Sequence, residues 1–222
     1  MKIIAKIHTE FKEKFGIPRQ SNLSSARGKI VFEKSYRNPD ALRGIEGYSH
    51  LWIIWQFSES IRADFVPTVR PPRLGGNKKV GVFATRSPFR PNPIGLSSVK
   101  LLSVEEEAGL GTVIYVEGVD MLDGTPIYDI KPYVRYSDSH PDAVSGFADE
   151  EYGKKLDVNI PESEFSKLSK DEAEELISIL AEDPRPSYQD DKEREYGMFF
   201  GEKEVLFKVD GNTLAVTKVK QN

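Results

Sequence analysis

Six short runs of apolar and β-branched residues, at positions 2–7, 29–33, 48–57, 80–84, 95–104 and 112–119, fill the first two thirds of this chain. Gly, Pro, Asn or Asp punctuate the later ones. Most are too short for a stable helix, and the turn residues between them fold the chain back repeatedly, which is the spacing of an antiparallel barrel or sandwich. One short helix is predicted to interrupt them and plug one end of the barrel. Asn38 is placed to cap it, Pro39 suits its first position, and Gly44 stops it.

From about Ser137 the character changes: charged residues dominate, and Pro141, Gly153 and Pro161 punctuate the chain as linkers do. The boundary is therefore placed there, giving a β domain at 1–137 and a small α+β domain at 138–222. In the latter, Ser169 and Glu172 form a capping box ahead of Ala173, Leu176, Ile177 and Leu180, which recur at helical spacing until Asp183 and Pro184. Alternation at Val205, Phe207 and Val209, then the turn Asp210, Gly211 and Asn212, predicts a terminal hairpin.

Composition narrows the chemistry. With 222 residues, 38% hydrophobic and 10% aromatic, the chain can bury a sizeable core. The absence of cysteine excludes disulfide scaffolds, thiolate metal sites and cysteine nucleophiles. The three histidines, His8, His50 and His140, show no ligand spacing, so no metal is expected. His50 reads either as a hydrogen-bonded core residue or as a catalytic one. The longest apolar run, 51–55, is far below the roughly 20 residues that cross a bilayer, and no secretory leader is visible, so a cytoplasmic protein is the simplest expectation. No phosphate loop, dinucleotide fingerprint, zinc-protease motif or nucleophile elbow occurs.

The net charge of −4 conceals an asymmetry. Residues 1–100 hold 18 Lys and Arg against 7 Asp and Glu, and residues 101–222 hold 13 against 28. Between 61 and 100 the balance is 8 to 1. A polyanion would be attracted to that stretch if the fold displays it on one face, and otherwise it is a basic surface offset by the acidic half.

Residues 66–96 crowd Pro, Gly, Arg and Asn around one short run, a composition that pre-orders loops without conformational entropy to lose at binding. Arg86 and Arg90 flank Pro88 and Phe89; they read as forks for a carboxylate or phosphate, or as ties to loop carbonyls. In 119–133, Asp120, Asp123 and Asp129 bracket a turn at Asp123 and Gly124. They could orient hydroxyls, bind a cation or act as a base, although Asp123 equally suits turn capping and Asp129 an ion pair with Lys131.

Taken in order, PRQ at 18–20, GIEGYSHLWIIWQF, RPPRLGGN, VGVFATRSPFRPNPIGLS and the DGTPIYDIKPY string resemble the TsaA-like, TrmO-type family of S-adenosylmethionine-dependent tRNA methyltransferases. The resemblance spans residues 1–137, and DPRPSY at 183–188 is similar to the C-terminal region of bacterial members. It implies a small closed antiparallel β-barrel that binds S-adenosylmethionine without a dinucleotide fingerprint, a homodimer with the cofactor near its interface, and methylation of N6 of N6-threonylcarbamoyladenosine beside the anticodon at tRNA position 37.

Matched motif by motif, the cofactor contacts fall at Gln20, Ser21 and Asn22, at Ser58 and Glu59, at Arg86 and Leu96, and along Met121, Leu122, Asp123 and Gly124. The acceptor N6 is amide-like and needs a base or water relay, for which Asp129 and Tyr133 are the candidates. Arg90 or Arg73 would meet the threonyl carboxylate, while other basic residues hold the phosphates of the anticodon arm. Two other functions stay open: an RNA-binding barrel without catalysis, and methyl transfer to a small molecule.

Overall fold

A computed structural model describes residues 1–71, 78–151, 153–185, 189 and 191–221. Six strands close into an antiparallel barrel: β1 (Ala5–Thr9), β2 (Arg27–Phe32), β3 (His50–Gln56), β6 (Ile94–Glu107), β7 (Gly111–Glu117) and β8 (Thr125–Pro132). Their order around it is β1-β2-β7-β6-β3-β8, and β8 closes the ring by pairing with β1 on one side and β3 on the other. The strands β4 (Thr68–Val69) and β5 (Val80–Gly81) form a separate two-stranded ribbon. Alternate residues point inward: in β3, Leu51, Ile53 and Trp55 are buried and their neighbours half-buried.

Two expectations are corrected here. The run at 80–84 supplies only β5 and a 3-10 turn, Val82–Ala84, while the sixth barrel strand is β8, which reads in sequence as a carboxylate-rich loop. Pro126 and Pro132 normally demote a strand, and Asp129 and Lys131 mask the alternation in which only Thr125 and Ile127 are buried. The segment after Asn38 is not an α-helix plugging the barrel. It makes two 3-10 turns, Pro39–Leu42 and Ile45–Gly47, after an earlier one at Lys34–Tyr36, with no fully buried residue in any; Tyr36, Leu42 and Ile45 pack half-buried against the core. Asn38 does accept the Asp40 N–H at 3.0 Å, but Gly44 in the left-handed region (φ 87°) arrives too soon for α-helical bonds to accumulate.

Beyond the barrel come two short helices, α1 (Arg135–Asp138) and α2 (Glu162–Phe165), then α3 (Lys170–Leu180) with the capping box at Ser169 and Glu172. A four-stranded sheet follows, in the order β10-β11-β12-β9: β9 (Asp157–Asn159) runs parallel to β12 (Thr213–Gln221), and β10 (Tyr196–Phe200) and β11 (Lys203–Asp210) complete it. No helix among the described residues is long and apolar enough to cross a membrane.

One hydrophobic cluster runs through both parts, from Ile7, Ile53 and Ile127 in the barrel to Leu176, Met198 and Phe207 beyond it. Phe15 stacks on Phe207 at 6.5 Å, and a Cβ at Gly16 would stand 2.6 Å from the Met198 methyl. Polar ties cross the same seam. The Arg27 N–H donates to Glu175 at 2.9 Å, the Ser25 N–H to the Ser178 hydroxyl at 3.0 Å, and the Gly201 N–H to the Glu10 carbonyl at 3.0 Å.

Burial pushes the Glu175 carboxyl up to about 7, with the charges of Glu10 and Glu117 adding to the rise and Arg27 opposing it. Between the ordinary 4.5 and that value the folded chain keeps a proton the unfolded chain has lost, so stability falls as pH rises through the window. Glu175→Gln is therefore expected to match the wild type near pH 4.5 and to exceed it by about 3 kcal/mol at pH 8, as read by urea denaturation at both values.

Candidate active site

A cavity of 560 Å³ opens at one end of the barrel. Five segments build it: the loop after β1, the end of β3 with the turn Ser58–Ser60, the loop at 85–90, the start of β6, and the loop at 118–124 that leads into β8. The arginine-proline segment and the loop at 118–124 thus meet at one cavity, the first contributing Arg86 and Arg90 and the second Asp120 and Leu122.

Trp55 sits at the centre of this wall. The β3–β8 register shifts between Ile54 and Trp55, a bulge that re-aims the side chain, and Gly95 lies directly across β6. A Cβ at Gly95 would stand 2.2 Å from the indole, so only glycine lets the ring lie flat on the neighbouring strand. Phe57 packs on the same indole, tilted by 57° with ring centroids 4.2 Å apart. The Trp55 indole N–H donates to the Ser97 hydroxyl at 2.9 Å, and that hydroxyl donates to Asp120 Oδ1 at 2.6 Å.

Burial pushes the Asp120 carboxyl up to about 6, against the pull of Ser97, the N–H groups of Asp120 and Ser21, and the Arg86 charge. Arg86 also donates through Nη1 to Gln20 Oε1 at 2.5 Å, joining the loops that carry both residues.

A broader cleft of 1360 Å³ adjoins the first, and Arg19, Gln20, Thr85, Arg86 and Pro88 line both. Arg62, Arg70 and Lys79 add positive charge to it, and Val66, Phe83 and Phe147 add apolar surface. No group of three His, Asp or Glu residues suited to a metal occurs among the described residues.

Of the residues singled out in sequence, Gln20, Ser58, Glu59, Arg86, Arg90, Leu96 and Leu122 line the cavity. Others stand behind it as scaffolding. Ser21 supports Asp120 through its N–H, and Asn22 (φ 62°) bonds Gly118 through its own N–H at 2.9 Å and Ser98 through its side chain at 2.8 Å. Met121 is fully buried, and Gly124 (φ 75°) bonds the Ile7 carbonyl at 2.8 Å. The Asp123 carboxylate is held by His8 at 3.2 Å and by the Thr9 N–H and Lys12 at 3.1 Å. Burial alone would raise its pKa, but these partners outweigh it and keep the group below the usual carboxylate range.

Asp129 and Tyr133 are absent from the cavity lining. Asp129 pairs with Lys131 at 3.1 Å, and Tyr133 packs on Trp52 at 5.6 Å and His50 at 6.2 Å, where His50 is half-buried rather than core. Arg90 Nη1 donates to the carbonyls of Val82 at 3.2 Å and Thr85 at 2.7 Å, and Arg62 lies 3.7 Å over one face of Phe89. Arg73 lies outside the described residues. The linked set Trp55, Ser97 and Asp120 escapes a reading by motif, because it joins three strands or loops far apart in sequence. Its one trace there is a glycine opposite a tryptophan, and that pairing is visible only once the register is known.

Residues 6–139 match the family model described as tRNA-methyltransferase O N-terminal domain, and residues 153–222 match the TrmO C-terminal domain. The chain belongs to the TrmO family. It is 41% identical to the tRNA (adenine(37)-N6)-methyltransferase of Escherichia coli K12, over 86% of this chain and 83% of that protein. A probable S-adenosyl-L-methionine-binding protein of Methanothermobacter thermautotrophicus is 36% identical, over 61% of this chain but 90% of its own length. The fold superposes on a crystal structure of TrmO from Pseudomonas aeruginosa with a TM-score of 0.81 at 33% identity, covering 99% of this chain and 95% of that one.

In this TrmO family member the flat seat of Trp55 is directly testable. Gly95→Ala is expected to lift the indole off β6, cost about 1–3 kcal/mol by overpacking and red-shift the tryptophan emission; urea denaturation and fluorescence read both.

Proposed function

We propose that this chain transfers a methyl group from S-adenosylmethionine to N6 of N6-threonylcarbamoyladenosine at position 37 of tRNA. The observation that carries the reading is the shared wall at Arg86: a ligand-sized cavity and a wide basic cleft meet there, so a small donor and a polyanionic acceptor can approach one another. The 41% identity to the E. coli tRNA (adenine(37)-N6)-methyltransferase supports N6 of adenine 37 in tRNA as the position methylated.

The residues present suit the donor. The cavity falls in the range of about 300–1,000 Å³ that small-molecule sites occupy. Trp52, Trp55 and Phe57 offer aromatic surface to an adenine, Arg86 a cation to an amino-acid carboxylate, and Glu59 a carboxylate to the ammonium or ribose groups. When bound, S-adenosylmethionine supplies the electrophilic methyl group and the driving force of its transfer.

The chain's own part is alignment. Gln20, Ser58, Glu59, Arg86, Leu96 and Leu122 hold the donor in this reading, while Ser21, Asn22, Met121, Asp123 and Gly124 fix the loops that shape its wall. Arg19, Arg62, Arg70 and Lys79 meet the backbone phosphates, and Arg73 or Arg90 the threonyl carboxylate. Asp129 and Tyr133 support the outer side of the barrel near Trp52. Residues 1–137 house the chemistry and 138–222 brace it. Ile61, Phe65, Val66 and Phe83, exposed beside the cleft, fit the apolar face of a homodimer with its sites near the interface.

Purified protein incubated with labelled S-adenosylmethionine is expected to methylate tRNA from cells that make threonylcarbamoyladenosine and not tRNA from cells that lack it, with nucleoside mass analysis naming the product. A folded protein that binds neither S-adenosylmethionine nor S-adenosylhomocysteine by calorimetry would point instead to a non-catalytic RNA-binding barrel. Arg86→Ala should weaken S-adenosylhomocysteine binding by roughly 10- to 100-fold, the worth of a charge-assisted hydrogen bond, with little change in melting temperature because the side chain is exposed.

A further inference from the structure

Resting on that reading, we propose that Asp120 accepts the N6 proton of the acceptor base and that Trp55 and Ser97 hold it in position to do so. N6 of a threonylcarbamoyl adenine is bonded to a carbonyl carbon, so its lone pair is withdrawn until the proton leaves. A group near the methyl donor must take that proton. Two carboxylates line the cavity among the described residues, Asp120 and Glu59. Glu59 is exposed, with a lysine ammonium, that of Lys14, 3.5 Å away. Asp123 is held as an anion by His8, the Thr9 N–H and Lys12 and is absent from the cavity lining, as is Asp129. Asp120 remains.

Its surroundings suit the task. The Ser97 hydroxyl and the N–H groups of Ser21 and Asp120 all donate to the carboxylate. A carboxylate has about four lone-pair sites, so these three donors leave acceptor capacity toward the cavity it lines. The groups packed around it from β3, β6 and the loop after β1 are the neutral Trp55, Ser97 and Ser21; Arg86, from the 85–90 loop, is the charge that acts on it. Lys14, Arg19, Glu59 and Arg90 complete the charged lining of the same cavity. Burial lifts the pKa to about 6, so near neutral pH the group is ionised yet basic enough to take a proton.

The step balances. The N6 proton passes to a carboxylate oxygen of Asp120, the N6 electron pair forms the bond to the methyl carbon, and the carbon–sulfur bonding pair stays on the departing sulfur. The positive charge of the sulfonium is thereby exchanged for the proton on Asp120, which water then removes. Ser97 and Trp55 touch no reacting atom in this scheme and are positioning residues.

Asp120→Asn and Ser97→Ala test it. With wild-type protein, single-turnover methylation of threonylcarbamoyl-containing tRNA should rise about tenfold per pH unit below 6 and level off above 7. Asp120→Asn should slow that turnover by 100-fold or more at pH 8 while S-adenosylhomocysteine affinity, measured by calorimetry, stays within about threefold. Ser97→Ala, which removes a donor to the charged form, should move the rising limb to higher pH with the KM for tRNA unchanged. A carbon-13 side-chain carboxyl resonance titrating near pH 6 in the free wild-type protein should vanish in Asp120→Asn, a readout independent of turnover. Retention of wild-type turnover and pH profile by Asp120→Asn would overturn the assignment, as would loss of S-adenosylhomocysteine binding by more than tenfold in either variant, which would make Asp120 a donor-binding group. A wild-type protein that binds S-adenosylhomocysteine but methylates no tRNA overturns the enzyme reading first, a result separable from both.

Discussion

Ring closure through β8 is the constraint on which everything else depends. An antiparallel sheet of six short strands has two edges to hide, and pairing β8 with both β1 and β3 removes them. The β6–β7 hairpin returns the 118–124 loop beside the start of β6, and that loop leads on into the closing strand. The site is thus a by-product of topology. No single segment has the chemistry: the β6–β7 hairpin returns Asp120 to Ser97, and the β3–β6 pairing sets Trp55 beside the same hydroxyl.

The mouth is then tuned by two opposite treatments of aspartate within four residues of chain. Asp123 is surrounded by His8, Lys12 and a backbone N–H and so is locked as an anion that pins the bend to β1. Asp120 receives hydroxyl and amide donors in a drier setting and is held much closer to neutrality. Environment, not residue type, divides structural from chemical duty here.

Much of the barrel was legible in sequence, because five of its six strands fall on runs of apolar and β-branched residues. β8 was hidden by its two prolines and by charged residues on its outer face, and the 80–84 run misled because its apolar residues serve a ribbon and a 3-10 turn instead of the ring. The capping box and terminal hairpin were readable because both are local codes, complete within a few residues. At the site, motifs found the loops but not the division of labour within them. Arg86 faces the cavity while Arg90 bonds loop carbonyls, and Gln20 lines the wall while Asn22 pins the backbone behind it. Such distinctions depend on where each loop is tethered, and tethers such as Asn22 to Ser98 span most of the domain.

The unbroken cluster of apolar side chains shared by barrel and C-terminal sheet has an evolutionary corollary. The Methanothermobacter thermautotrophicus relative is matched over 90% of its length by 61% of this chain. A lineage that gained or lost the appendage had to re-dress one flank of the barrel at the same time, because Phe15 and the bare backbone of Gly16 are fitted to Phe207 and Met198 and would otherwise meet solvent. Domain shuffling in such a fold is not a matter of splicing at a linker; it requires coordinated repainting of a surface into an interior, or the reverse.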